Sequence, residues 1–138
     1  MTTSPLEFTI RSNDDLLALW EHLMGPWGFS NRTLWLVFLD EDGRTMPVVV
    51  PIEEMPALPD EQSIASLRYV VNDLVAGREV GTVPMLLSRP GSSRMRPEDR
   101  AWARALRDGL GPELCRWPIH LATKGSVRPF APDDLIAA

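Results

Sequence analysis

The chain has 138 residues, of which 44% are hydrophobic and 24% charged, a balance typical of one globular domain spanning residues 1–138. The only cysteine, Cys115, excludes an intramolecular disulfide and favours a reducing, cytoplasmic location. No apolar run approaches the ~18 residues of a membrane span, and the N-terminus lacks a signal-peptide pattern. We therefore expect no membrane partner.

The net charge of −5 is unevenly distributed. Residues 1–62 contain eleven acidic and three basic side chains, whereas residues 63–138 contain eight acidic and eleven basic ones. Such asymmetry can mark an interaction surface. Because the whole chain is negative, a nucleic-acid partner is not expected.

The first long element predicted is a helix. Ser12 followed by Asp15 is a capping-box variant, and Gly25-Pro26 is a stop signal. Between them apolar side chains recur at helical spacing, at Leu16, Leu19, Trp20 and Leu23. Ahead of this helix, residues 7–10 predict a short strand.

A β-hairpin is predicted next. Residues 33–39 are apolar on both faces, which indicates a central strand covered by helices. Residues 40–43, Asp-Glu-Asp-Gly, are a hairpin turn signal, and residues 45–52 form the returning strand. Pro47 and Pro51 have no N–H donors, so this strand lies at a sheet edge or contains a bulge.

The second half of the chain alternates helices and strands. We predict a helix from Asp60 to Gly77, a strand at 82–88, a loop at 89–96, a helix opened by Pro97, and strands at 117–122 and 126–130. In the last helix Trp102, Leu106 and Leu110 should face the sheet. The order predicts an α/β fold, a mixed β-sheet flanked by helices in an α/β/α sandwich.

Two short segments carry a family resemblance. Residues 85–92 read Met-Leu-Leu-Ser-Arg-Pro-Gly-Ser, an apolar strand that enters a loop, and residues 96–99 read Arg-Pro-Glu-Asp at a helix start. With the preceding hairpin and the later strand at 117–122, this stretch resembles the JAB/MPN metallohydrolase domain, especially its RadC-like branch. The resemblance implies a JAB/MPN or cytidine-deaminase-like sandwich. Active members hold zinc through two histidines and an aspartate, and a glutamate activates the bound water.

The chain departs from that family at the metal ligands. Leu87 and Arg89 stand at the two histidine positions, and neither side chain can bind zinc. Arg96 stands at the serine position, only Asp99 is kept, and residues 31–32 supply no early glutamate. The resemblance therefore implies that the zinc chemistry is lost, and we expect neither a metal nor a cofactor.

No other catalytic pattern is evident. His22, His120 and Cys115 lack the tight spacing of zinc ligands, and sequence alone cannot show a reactive thiol. Ser92 and Ser93 lack the Gly-x-Ser-x-Gly context of a hydrolase nucleophile.

Arginines are concentrated in one part of the chain. Six fall within residues 89–107: Arg89, Arg94, Arg96, Arg100, Arg104 and Arg107. A Gly-Ser-Ser segment beside them precedes a helix N-terminus, a combination that favours an anion. The candidate anion or partner site comprises Arg89, Ser92, Ser93, Arg94, Arg96, Asp99 and Arg100. Alternatively, these arginines are solvated and pair with Glu98, Asp99 and Asp108.

Three functional hypotheses follow. The first is a catalytically inactive JAB/MPN-like domain that serves as a protein-interaction or small-anion-binding module, with a possible homodimer. The second is a metal-independent enzyme in which Arg89, Ser92 and Arg96 clamp an anionic substrate and Asp99 acts as acid or base. The third is an accessory of a larger assembly that uses the acidic residues 40–42 and 53–54.

Overall fold

The computed structural model describes residues 8–25 and 28–135, and in that part the chain forms three helices and five strands. In order they are α1 (Asn13–Met24), β1 (Thr33–Leu39), β2 (Thr45–Ile52), α2 (Glu61–Val75), β3 (Met85–Ser88), α3 (Pro97–Leu110), β4 (His120–Thr123) and β5 (Ser126–Pro129). A 3₁₀ turn, Pro132–Leu135, follows β5. None of the helices in this part is long and apolar enough to cross a membrane.

The five strands form one mixed sheet in the order β2-β1-β3-β4-β5. Strands β3 and β4 are parallel, and the other neighbours are antiparallel. A parallel pair needs a crossover connection, and α3 supplies it between β3 and β4. The α/β fold with a mixed sheet that the sequence predicts is confirmed.

Helices cover both faces of the sheet, because side chains alternate along each strand. On β1, Leu34, Leu36 and Phe38 join the core beneath α2 and α3. Val37 and Leu39 join the core beneath α1 instead. The sheet is therefore buried on both sides, which explains why β1 is apolar throughout.

The prolines of β2 explain its place at the edge. The backbone N–H groups of Val37 and Leu39 on β1 point toward β3. The backbone polar groups of the residues that alternate with them, such as Leu36, therefore point toward β2. Leu36 pairs with Val50, which directs the nitrogen of the next residue, Pro51, away from the sheet. Pro47 lies where the register shifts between Val37 and Leu39. Both predicted outcomes, an edge strand and a bulge, are present.

The predicted helix starts are confirmed. Ser12 Oγ accepts the Asp15 N–H at 3.1 Å, and Asp60 Oδ1 accepts the Ser63 N–H at 2.7 Å. These caps satisfy backbone donors that have no partner within the helix. Pro97, which needs no N–H partner, is the first residue of α3.

Three predicted strands are shorter than expected. In the strand predicted at 7–10, Thr9 forms only an isolated bridge with Arg44, and residue 7 lies outside the described part. β3 begins after Pro84 and β4 begins after Pro118, because proline cannot donate to a ladder. The stop signal at Pro26 also lies outside the described residues, although α1 ends before it.

Candidate anion-binding site

The site begins where β3 ends. Arg89 follows the last residue of β3, and its N–H still donates to the Ala122 carbonyl of the neighbouring strand at 3.1 Å. The alternation of side chains therefore puts Arg89 on the same face as Leu87, beneath α2 and α3. Only 1% of Arg89 is exposed, so this arginine extends into the protein.

Asp99, in the first turn of α3, receives the Arg89 side chain. Arg89 Nε donates to Asp99 Oδ1 at 2.7 Å and Nη2 donates to Oδ2 at 2.8 Å, a bidentate pair. Asp99 is 2% exposed, and its Oδ2 also accepts the backbone N–H of Arg96 at 2.9 Å. The pair thus fastens the end of β3 to the start of α3.

The remaining Arg89 donors hold the loop between these elements. Nη1 donates to the carbonyls of Pro90 and Ser92, at 3.1 and 3.0 Å, and Nη2 donates to the Arg94 carbonyl at 2.8 Å. With the two bonds to Asp99, all five guanidinium N–H groups have partners. Arg89 and Asp99 therefore lie together as the support of the loop, and Arg89 has no donor left for a ligand.

An open pocket of about 840 Å³ lies outside this buried pair. Four of the predicted site residues line it: Ser93, Arg94, Arg96 and Arg100. Ser92 is exposed beside the pocket and contributes its carbonyl to Arg89. The other lining residues are Met95, Pro97, Arg128 and Asp134. Arg128, on β5, is the important residue that the sequence did not indicate.

The pocket is strongly cationic. Within residues 8–25 and 28–135, neither Arg94 nor Arg96 has a carboxylate at ion-pair distance. Arg100 Nε lies 3.8 Å from Asp134 Oδ1, too far for a hydrogen bond. Arg128 Nη2 donates to the Ser93 carbonyl at 2.8 Å, while its buried Nε has no partner in the described part.

Gly91 allows Arg96 to lie against the loop. Its φ of +99° is a conformation that favours glycine. A Cβ at this position would lie 2.6 Å from Arg96 Nη2 and 3.4 Å from Arg89 Nη1. The absence of a side chain at Gly91 therefore lets the Arg96 guanidinium approach the loop backbone closely.

The other two arginines of the sequence cluster do not line the pocket. Arg107 forms an exposed pair with Asp108, in which Nε lies 2.9 Å from Oδ1, and this bond raises the pKa of Arg107. Arg104 has an interaction partner as well. The hypothesis of solvated arginines in surface pairs thus describes Arg107, whereas Asp99 pairs with the buried Arg89.

The histidine and cysteine candidates lie apart from this pocket. Burial lowers the pKa of His120, an effect that its Nδ1 contact with the Pro118 carbonyl, at 3.1 Å, partly opposes. Burial raises the pKa of Cys115 to about 11, so its thiol stays protonated at neutral pH. In the described ranges, no three side chains of histidine, cysteine, aspartate or glutamate could together hold a metal ion.

Comparison of this chain with known proteins finds no relative. No protein-family model matches the chain, and neither a curated protein nor a solved structure matches it. The geometry of the pocket is therefore the basis for inferring a function.

Proposed function

We propose that this chain binds a small anion in the arginine-lined pocket and that it does so as a catalytically inactive, JAB/MPN-like domain. One observation carries the proposal: four guanidinium groups line a single open pocket that contains only one carboxylate among its lining residues. Guanidinium groups present planar pairs of donors that match phosphate and carboxylate oxygens. A bound anion would relieve the repulsion among these like charges.

The buried pair supports this proposal by fixing the loop. Arg89 binds three loop carbonyls, and Asp99 binds the Arg96 N–H, so the backbone that presents Arg94 and Arg96 is held in place. A preorganised site loses less conformational entropy on binding than a flexible one. Arg89 and Asp99 are therefore positioning residues in this proposal.

The Arg89–Asp99 pair also occupies two positions that the family resemblance assigns to metal ligands. The order of hairpin, helix, strand, loop, helix and strand, on which the resemblance rests, is the order of elements in this chain. Under that alignment, the Arg89 guanidinium takes the place of a metal cation beside the retained Asp99 carboxylate. Leu87, at the other histidine position, is buried in the apolar core. These contacts support the loss of zinc hydrolase activity.

The enzyme hypothesis has less support in this geometry. A general acid or base must reach its substrate. Both Asp99 oxygens accept hydrogen bonds within the protein, and only 2% of the residue is exposed. Asp99 is therefore not placed to exchange a proton with a ligand in the pocket.

The acidic-surface hypothesis rests on residues that serve the hairpin. Asp40 Oδ1 accepts the N–H groups of Asp42 and Arg44, both at 2.9 Å, and so closes the β1–β2 turn. Residues 40–42 line a surface depression that Arg11 and Arg116 also line. The positive charges of these two arginines offset part of its negative charge. A protein partner and a homodimer stay predictions.

Calorimetric titration with orthophosphate at low salt tests the proposal. We expect binding that weakens as salt is added, because screening reduces attraction between exposed charges. Replacing either Arg94 or Arg96 with glutamine removes a charge-assisted hydrogen bond of about 1.5–3 kcal/mol, so affinity should fall at least about tenfold.

Arg44→Gln is the matched control. Arg44 is an exposed arginine on the β1–β2 hairpin, outside the pocket lining. Its removal changes the net charge by the same amount as a single pocket variant and should leave orthophosphate affinity unchanged. An equal loss in Arg44→Gln would show diffuse attraction to the protein, and undetectable binding by the native chain would contradict the proposal outright.

A further inference from the structure

We infer that the ligand of the arginine pocket is a small molecule with a diphosphate or two closely linked phosphate groups. This inference rests on the proposed function, because it names the class of anion for the same site. Three features of the pocket carry it: its charge, the grouping of its arginines, and its size.

The charge of the lining exceeds what one phosphate can neutralise. Four arginines and Asp134 give the lining a net charge of +3, since the buried Arg89 and Asp99 cancel each other. A phosphate group brings about −1.5 to −2 at neutral pH, so two linked groups bring about −3 to −4. A diphosphate therefore matches the charge of the pocket more closely than a single phosphate.

The cations lie at two positions in the pocket. The Arg96 guanidinium lies against the loop backbone at Gly91, and Arg128 donates to the Ser93 carbonyl of the same loop. Arg100 lies on α3, where its Nε is 3.8 Å from Asp134 Oδ1 of the 3₁₀ turn. Both positions belong to one pocket, so a ligand with two phosphate groups can reach both.

The size of the pocket fits an organic phosphate. Its volume of about 840 Å³ lies within the range of about 300–1,000 Å³ that is usual for small-molecule sites. Met95 and Pro97 also line it, so an apolar part of a ligand would find contacts beside the charged groups.

The donors favour phosphate over carboxylate. A phosphate group offers three acceptor oxygens, whereas a carboxylate offers two. Within the described residues, no carboxylate pairs with the guanidinium group of Arg94 or Arg96. Their donors can therefore bind several oxygens of one ligand, and a phosphate group supplies more of these than a carboxylate does.

Titration of the full chain with pyrophosphate, orthophosphate and citrate tests the inference. Citrate has three carboxylates, so it brings comparable charge without phosphate groups. We expect pyrophosphate to bind at least about tenfold more tightly than either other anion. Arg96→Gln and Arg100→Gln, one variant from each position, should each remove most of that advantage, whereas Arg44→Gln should preserve it.

The outcomes separate this inference from the proposed function. Equal affinity for pyrophosphate and orthophosphate would overturn the inference and leave a single-anion site. Citrate binding as tight as pyrophosphate would overturn the choice of phosphate, and tighter binding of a short DNA duplex would overturn the choice of a small molecule. If none of these anions bound, the proposed function would fail as well.

Discussion

Replacing Asp99 with asparagine removes one charge from the buried pair while keeping the size of the side chain. Arg89 would then be a cation that is 1% exposed, without a counterion at 2.7 Å. Removing one partner from a buried ion pair costs about 3–5 kcal/mol, since the other charge remains buried. That is a large share of the about 5–15 kcal/mol that stabilises a typical domain. We therefore expect a severe loss of stability.

Urea denaturation measures this loss as a change in the free energy of unfolding. With a slope of about 2 kcal/mol per molar urea, the midpoint should fall by about 2 M. Asp108→Asn is the matched control, because it makes the same chemical change on the same helix. Asp108 is 68% exposed and pairs with the exposed Arg107, so its replacement should barely change the midpoint.

The comparison of the two variants decides whether the reasoning holds. If Asp99→Asn and Asp108→Asn lowered the midpoint equally, burial would not control the strength of this pair. The assignment of Arg89 and Asp99 as the support of the loop would then be refuted.

Three further predictions concern other residues. Burial lowers the pKa of His120, so the unfolded chain takes up this proton first and stability falls as the pH drops below 6.5. His120→Gln should flatten that decline when unfolding by urea is measured as a function of pH, and an unchanged decline would contradict the prediction. Burial raises the pKa of Cys115 to about 11. In the folded protein its thiol should therefore react slowly with iodoacetamide at pH 8, and in the unfolded chain it should react about a hundredfold faster. Gly91→Ala and Gly125→Ala should each cost about 1–2 kcal/mol of stability because both positions have positive φ. In phosphate titrations only Gly91→Ala should weaken binding, because its methyl group would displace a pocket guanidinium, whereas Gly125 faces open space.

The periodic signals of the sequence predicted most of the fold. β1 and β2 have the predicted bounds, and the caps at Ser12 and Asp60 form as expected. These features depend on neighbouring residues, so a local pattern suffices to identify them. The predicted lengths of β3 and β4, which begin after Pro84 and Pro118, were less accurate. An apolar run alone does not show at which residue a strand stops donating backbone hydrogen bonds to its neighbour.

The candidate site was predicted less completely, because it depends on contacts between distant residues. Arg89, Arg94 and Arg96 lie on the loop between β3 and α3, but Arg89 is buried whereas Arg94 is exposed. Alternation along β3 could have indicated that Arg89 is buried, since Leu87 shares its face. Arg128 lies 35 residues from its partner Ser93, and only the pairing of β5 with β4 brings it to the pocket.

A double replacement separates the two roles of the Arg89–Asp99 pair, which are to stabilise the fold and to hold the loop that presents the pocket arginines. Exchanging Arg89 for methionine and Asp99 for leucine removes both charges, and such apolar substitutions often recover stability that a single replacement loses. Without Arg89, however, the carbonyls of Pro90, Ser92 and Arg94 would lose the donors that hold the loop. We therefore expect the double variant to be more stable than Asp99→Asn in urea, yet to bind orthophosphate at least about tenfold more weakly than the native chain. If affinity recovered together with stability, the pair would support only the folding of the domain, and the loop would present its arginines without it.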